Sequence, residues 1–450
     1  MRRNKNRVPA LAMVCATALL TAGCLQGGGD DGGGGGGGGT SADGGSEDGD
    51  KKVEIIGAFA GVEKDSFEKE IKSFEDETGI DISYTGTQDF QTIIQSKVRA
   101  GDTPDIGLFP QPGTLQALGD DGDVAPLSEV IDEQSLESAT IPGLLDAGAG
   151  EDGTFYGAPM RVAVKSLVFV PKKAYATGDY AAEPKSIQEL RSISDKIKAD
   201  GIAPWCIGYG SDAATGWVGT DWIEEFMLRV NGPEVYDQWV EHEIPFDDPK
   251  VQDAFNAFKE LALQEGDVRG GAQAIINTPF AEAGTPAFDN PPKCMMQRQG
   301  NFITGFYPDE VQKSLDESVD VFYFPAYEGG YEGNPVLGGG DLAGVFNSDD
   351  EDTKKVMEYL TGPDFGKSWA ADGGWLSPRT DFDTSLYPDE ITRKIGEIAA
   401  NADVFRFDAS DLMPQEVGGG SFWSGMVEWT QGDKTTEEVT QEIEASWPSS

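Results

Sequence analysis

The stretch "KKVEIIGAFAG" (51–61) decides the reading of the fold. It is a short apolar run that ends in glycines, the pattern of a buried strand. "VEKDSFEKEIKSFEDETGI" (62–80) follows, with Phe67, Ile71 and Phe74 at helical spacing and Gly79 placed as a C-cap. "DISYTGT" (81–87) reads as a second strand. "DFQTIIQSKVRAGD" (89–102) reads as a second helix, with Phe90, Ile93, Ile94 and Val98 on one face. "TPDIGLF" (103–109) is a third strand, broken by "PQPG". The order β-α-β-α-β predicts a parallel sheet with crossover helices. In such sheets ligands sit beyond the carboxyl ends of the strands, here residues 58–61, 84–88 and 109–113.

Further along, strands and helices keep alternating. "YGAPMRVAVKSLVFVPKKAY" (156–175) reads as one long β stretch and a turn. "SIQELRSISDKIKADG", "TDWIEEFMLRVNG" and "KVQDAFNAFKELALQEG" read as amphipathic helices, the second capped by Asn231 and Gly232. "VDVFYFPAY" and "DLAGVF" read as strands, "EDTKKVMEYLTGPDFGKSWAADG" as one helix and "TTEEVTQEIEASW" as a terminal helix. The class is α/β. The body from Lys51 on is ~400 residues, too long for one ordinary core, so two domains are expected.

At the other end, "MRRNKNRVPALAMVCATALLTAGC" (1–24) has a basic start, a short apolar stretch and small residues before Cys24. The apolar stretch is too short to span a membrane and fits an export signal over 1–23. The approach to Cys24 resembles a bacterial lipobox, which implies a lipid on that thiol, although Thr21 stands where leucine is commonest. Residues 24–50 are glycine- and acid-rich and read as a flexible tether. The expected place is therefore the outer face of the cell membrane, held by lipid alone. The formal net charge of -45 argues against nucleic acid and against anionic solutes drawn in at long range. Of four cysteines, Cys15 and Cys24 belong to the leader, leaving Cys206 and Cys294 as an even pair in an oxidising place. They are expected to form a disulfide. The single histidine, His242, is far along the chain from both, which argues against a cysteine nucleophile.

Several motifs then occur in a recognisable order. "SFEDETGIDISYTGT" and "GDTPDIGLFPQPGTL" are followed by "PWCIG", "ATGWVGTDWIEEFMLR", "PPKCMMQRQGNFITGF", "PVLGGGDLAGVF", "GGWLSPR" and "SDLMPQEVGGGSFWSGMVEW". Together they resemble the extracellular solute-binding proteins of bacterial ABC importers, in the α-glucoside and related oligosaccharide branch. The resemblance covers nearly all of the body. It implies a two-lobed periplasmic-binding-protein-like fold (type II), with residues 51–163 and 342–376 in lobe 1 and 164–341 and 377–450 in lobe 2. Crossovers would fall near 162–165, 340–342 and 375–379. It also implies a neutral sugar as ligand, a membrane permease with cytoplasmic ATPase as partner, a monomer, and no cofactor, metal or catalysis. Both cysteine motifs would lie in one lobe, in keeping with the disulfide.

A neutral sugar presents C–H ring faces to aromatics and hydroxyl edges to polar side chains. "PWCIGYGSDAATGWVGTDWIEE" (204–225) has that mixture. Trp217 follows a glycine-rich loop. Asp221 stands near a helix start, as N-cap or as a hydroxyl partner. Trp205, Trp222 and Phe226 read as core, and Glu224 and Glu225 as a solvated face. By resemblance, Trp423 in "SFWSGMVEW" stacks on sugar as an aromatic does in maltose-binding members, while Trp429 could be core. Gly340 and Asp341 are cleft candidates in "GGGDLAGVF", Gly340 alternatively serving a crossover. Asn301 and Phe302, Trp375 and Arg379, Phe109 and Gln111, and Lys165 at the first crossover complete the set. A polyol or glycerophosphodiester is an alternative solute. A glycoside hydrolase would need two carboxylates about 5–10 Å apart, and in a chain this acidic some pair always looks plausible. No Ser nucleophile elbow, HExxH or phosphate-binding loop appears in the sequence.

Overall fold

A computed structural model describes residues 51–448, apart from 142, 151, 181 and 182. The expected signal (1–23), Cys24 and the tether (24–50) lie outside the described residues.

The opening strands form as the sequence suggests. β1 (Lys52–Gly57) lies between β2 (Asp81–Gly86) and β3 (Ile106–Phe109), parallel to both. The connecting helices are α1 (Val62–Thr78) and α2 (Phe90–Ala100). Each stops at a glycine in the left-handed region, Gly79 at φ 72° and Gly101 at φ 67°, where a Cβ would be strained. The "PQPG" break is less of a loop than expected. Pro112 opens α3 (Pro112–Asp120), because a proline at a first helical position loses no intrahelical bond.

Two sheets make up the architecture. The first adds β4 (Ala158–Val164), β9 (Pro335–Val345) and β10 (Val404–Phe407) to β1–β3. β9 pairs antiparallel with β3 through its second half and parallel with β10 through its first, while β4 runs antiparallel along it. The second sheet has the order β6-β7-β5-β8, from β5 (Leu167–Pro171), β6 (Ala203–Trp205), β7 (Cys294–Arg298) and β8 (Val319–Tyr323). β5 and β7 are buried at every position, as strands with both faces covered should be. Cys206, just past β6, and Cys294, opening β7, form the expected disulfide.

Two expected elements divide. The long β stretch 156–175 is two strands in different sheets, separated by Lys165 and Ser166. Both turn residues are committed elsewhere: Lys165 is ion-paired, and the Ser166 hydroxyl accepts the Leu337 N–H at 2.8 Å. The single helix expected near 351–373 is two, Glu351–Leu360 and Lys367–Asp372. Pro363 cannot continue a helix, and Gly366 sits at φ 84°. The buried Glu70 carboxylate caps the second helix, accepting the N–H groups of Gly366, Ser368 and Trp369.

Candidate functional site

β4 divides two cavities. Its side chains alternate: Arg161 and Ala163, followed by Lys165, line a cavity of about 210 Å³. Val162 and Val164 line a different cavity behind the strand. The first cavity is also bordered by Ala58 and Ala60 after β1, Gln88 after β2, and Pro110 and Gln111 after β3. These are the carboxyl ends of parallel strands, where an open sheet leaves a crevice.

At one end of the cavity stands Lys165. Its ammonium donates to Asp221 at 3.0 Å and to Asp408. Burial alone would lower its pKa, but Asp221 and Asp408 override that and hold it above the ordinary lysine value. Asp221 comes from the helix Trp217–Asn231, one turn past its start, so it is not the N-cap. The N-cap is Gly216, at φ 121°, where a Cβ would meet the Trp423 carbonyl oxygen at 2.1 Å. Burial pushes the Asp221 carboxyl up to about 6, against the pull of Lys165. Burial and the nearby Asp408 push Glu224 and Asp411 well above the carboxylate range.

Glu224 and Glu225 are not a solvated face. Both are fully buried. Glu225 accepts from Arg229 (2.8 Å), Arg298 (3.1 Å) and Ser166 (2.8 Å), and Glu224 accepts the Ser410 N–H at 3.0 Å. A buried carboxylate needs such partners. Arg229 is four residues along the same helix, but Arg298, Ser166 and Ser410 come from β7, the turn after β4 and the segment after β10, which no local pattern reveals. Among the described residues, Asp221, Glu224 and Asp408 offer oxygens within 4.8 Å of one another, a grouping that could hold a cation. Lys165 already brings positive charge to two of the three.

Arg161 forms the other end. It donates to Asp341 on β9 and to Glu63 at the start of α1, both at 2.6 Å. Its guanidinium lies 4.6 Å from the Phe59 ring centroid and 5.6 Å from that of Trp369. Between the two ends are aromatics. Trp217 meets Phe280 edge-on at 5.2 Å and tilts toward Phe302 at 6.2 Å, while Lys165 lies 5.1 Å from its ring. Trp423 lines the same cavity, and its buried indole N–H has no partner among the described residues.

Of the candidate residues, the structure brings Gln111, Lys165, Trp217, Asp221 and Phe302 together around this cavity, with Gly340, Asp341 and Trp423. Four stand elsewhere. Phe109 is fully buried, edge-on to Phe90, because β3 turns its last ring into the core and leaves the next residues to reach the crevice. Asn301 is a buried tie: it accepts the Val164 N–H at 2.8 Å and donates to the Gly374 carbonyl at 3.3 Å. Trp375 packs among Phe365, Trp369 and Phe382. Arg379 lines the cavity behind β4, where it bonds Asp381 and the Thr361 carbonyl. Trp205, Trp222, Phe226 and Trp429 are core, as read from the sequence. The sequence reading missed Arg161, Glu63, Asp408 and Asp411. A signal for Arg161 was present: "MRVAVK" places two cations four apart on an otherwise apolar strand. Nothing local marks Asp408.

The family model of the bacterial extracellular solute-binding proteins matches residues 60–367. The osmoprotective compounds-binding protein GgtB of Synechocystis sp. is 40% identical over 398 residues, 88% of this chain and 93% of that one. The alpha-glucosides-binding periplasmic protein AglE of Rhizobium meliloti is 37% identical over 401 residues, 88% of this chain and 86% of that one. A structure solved in work on xylan utilization by Caldanaerobius polysaccharolyticus superposes with a TM-score of 0.75, at 19% identity, over 88% of this chain and 99% of that chain. That last likeness concerns fold alone: a two-lobed α/β architecture is common to both. No helix among the described residues is long and apolar enough to cross a membrane.

Proposed function

Because the chain belongs to the family of bacterial extracellular solute-binding proteins, we propose that it captures a neutral carbohydrate, an α-glucoside or related glycoside, and hands it to an ABC permease. The observation that carries this reading is the make-up of the cavity wall. Aromatic rings at Trp217, Phe302 and Trp423 stand beside ion-paired carboxylates at both ends. Rings suit the C–H faces of a sugar, and carboxylates and cations suit its hydroxyls. Of the relatives' names, the one for alpha-glucosides supports a glycoside, and the one for osmoprotective compounds is compatible with it. A polyol is the second reading. Capture without turnover fits a family of receptors.

Residues of β4 and β9 in the first sheet face segments that follow strands of the second, Ser211 and Trp217 after β6 and Phe302 after β7, around the cavity, so closure of two lobes about the crossovers near 162–165, 340–342 and 375–379 would enclose the solute. Closure must be favoured by contacts made only in the closed state. A lipid on Cys24, with 24–50 as tether, would keep a monomeric receptor near its permease. The test is a thermal-shift screen against maltose, trehalose, sucrose, polyols and glycerophosphodiesters. A ligand at 100 times its dissociation constant stabilises by about 2.7 kcal/mol. A shift with α-glucosides, and no sugar consumed, is expected. A response to the phosphodiesters alone would overturn the carbohydrate reading.

A further inference from the structure

The cavity behind β4 is the larger of the two that this strand divides, about 1230 Å³ against about 210 Å³ in front. Clefts that enclose small ligands hold ~300–1,000 Å³, so its volume suffices for one. Its apolar wall is the back of β4 at Val162 and Val164, together with Leu376 and the rings of Phe382, Tyr387 and Phe405. The Phe382 and Tyr387 rings tilt against each other, 5.4 Å between centroids. The charges around this wall are used unequally. All three arginines that line it are engaged. Arg406 donates twice to Asp237, at 2.5 and 2.7 Å, and Arg379 donates twice to Asp381 and once to the Thr361 carbonyl, each at 2.8 Å. Arg393 donates to the Tyr387 carbonyl at 3.2 Å. The carboxylates of Asp146, Glu241 and Glu397 line the same cavity, are exposed, and make no hydrogen bond or ion pair among the described residues. They come from three separate elements: the turn Leu145–Gly148, the residue after the helix Pro233–Val240, and the helix Glu390–Ala400.

We infer that the cavity behind β4 is a second binding site, separate from the solute cavity in front, and that it takes an organic cation with an apolar body, of the alkyl- or arylammonium class. Carboxylates without partners, beside arginines that already have theirs, favour positive charge in the space between them. The rings add to this, because the face of an aromatic attracts a cation within ~6 Å of its centroid. A small, strongly hydrated metal ion gains nothing from Val162, Val164 and Leu376, whereas an ammonium carrying alkyl or aryl groups buries them there and keeps its charge toward the carboxylates. An anion meets three free carboxylates and no free arginine. The proposal does not depend on which solute fills the front cavity.

Titration calorimetry of the full chain with benzyltrimethylammonium chloride tests the site, with benzyl alcohol as the neutral comparison and benzoate as the anionic one. The ammonium is expected to bind saturably and at least tenfold tighter than either. No saturable binding, or benzyl alcohol binding within threefold of the ammonium, would overturn the proposal. Glu241→Gln/Glu397→Gln removes two of the free charges, and both side chains are exposed, so its melting temperature is expected to match wild type. Its affinity for the ammonium should fall at least tenfold. Asp146→Asn, on a different element, should lower the affinity as well and carries the same test if the double variant melts early. Unchanged affinity in a variant that melts normally would overturn the site. The front cavity also has rings and acids, so Trp217→Ala locates the cation: affinity within threefold of wild type is expected. Loss of binding in Trp217→Ala, with binding kept in Glu241→Gln/Glu397→Gln, would place the cation in front of β4 and overturn the proposal.

Discussion

The Lys165 ammonium lies 3.0 Å from the Asp221 carboxylate and also bonds Asp408. One cation therefore joins the end of β4, the helix Trp217–Asn231 and the segment after β10. Removing one partner of a buried ion pair leaves an uncompensated charge and costs ~3–5 kcal/mol. Lys165→Met is expected to lower the melting temperature at neutral pH, followed by circular dichroism. Adding Asp408→Asn to it should restore part of the loss. A single variant that melts with wild type would show that the pair contributes nothing to stability.

Stability should fall as pH rises from 5 to 7.5. Asp221 is pushed up to about 6, and Glu224 and Asp411 are raised well above the carboxylate range, chiefly by burial. The folded chain thus binds more protons than the unfolded chain in this window. For Asp221 the contribution is fully present below ~4 and lost as pH rises through about 6. Acids held down instead, such as Asp381 beside Arg379, change charge only below ~4 and leave the window untouched. Melting without ligand should be higher at pH 5 than at pH 7.5, and Glu224→Gln should flatten the slope. A melting temperature that climbs over this range would refute the assignment.

The disulfide closes a long loop, since Cys206 and Cys294 are 88 residues apart. The chain-entropy relation gives ~4–5 kcal/mol for a loop of that length. The double variant Cys206→Ala/Cys294→Ala should show a matching loss in denaturant unfolding under oxidising conditions. An unchanged midpoint would mean that the bond constrains the unfolded chain very little.

Trp423 lines the cavity, with a buried indole N–H that has no partner among the described residues. Trp423→Ala is expected to weaken the best sugar at least tenfold, about 1.4 kcal/mol. Trp423→Phe should keep more of the affinity, because it retains a stacking face. Calorimetric affinity unchanged in the alanine variant would remove the indole from the ligand wall.

Much of the first sheet was legible because its signals are local. The apolar runs at Val53, Ile82 and Ile106, the helical spacing of Phe67 and Ile71, and the stops at Gly79 and Gly101 are set by neighbours within a few residues. The approach of crevice loops at Gln88 and Gln111 followed from strand order. Pairing of Cys206 with Cys294 followed from a count and a compartment.

The acids show where local reading stops. In "DWIEE" the sequence offers a helix with three carboxylates, and on a helix a carboxylate is ordinarily solvated. Whether Glu225 is buried depends on Arg298, which β7 supplies from 73 residues away, and on Ser166, 59 residues away. Asp221 likewise waits on Lys165, and Phe109 was lost to the core by the direction of a single strand position. The sequence by itself determined the opening strands and helices, the glycine stops at Gly79 and Gly101, and the pairing of the two cysteines. Tertiary structure alone decided which charges are buried and therefore what lines the cavity, because a carboxylate leaves water only where another part of the chain brings its counter-charge.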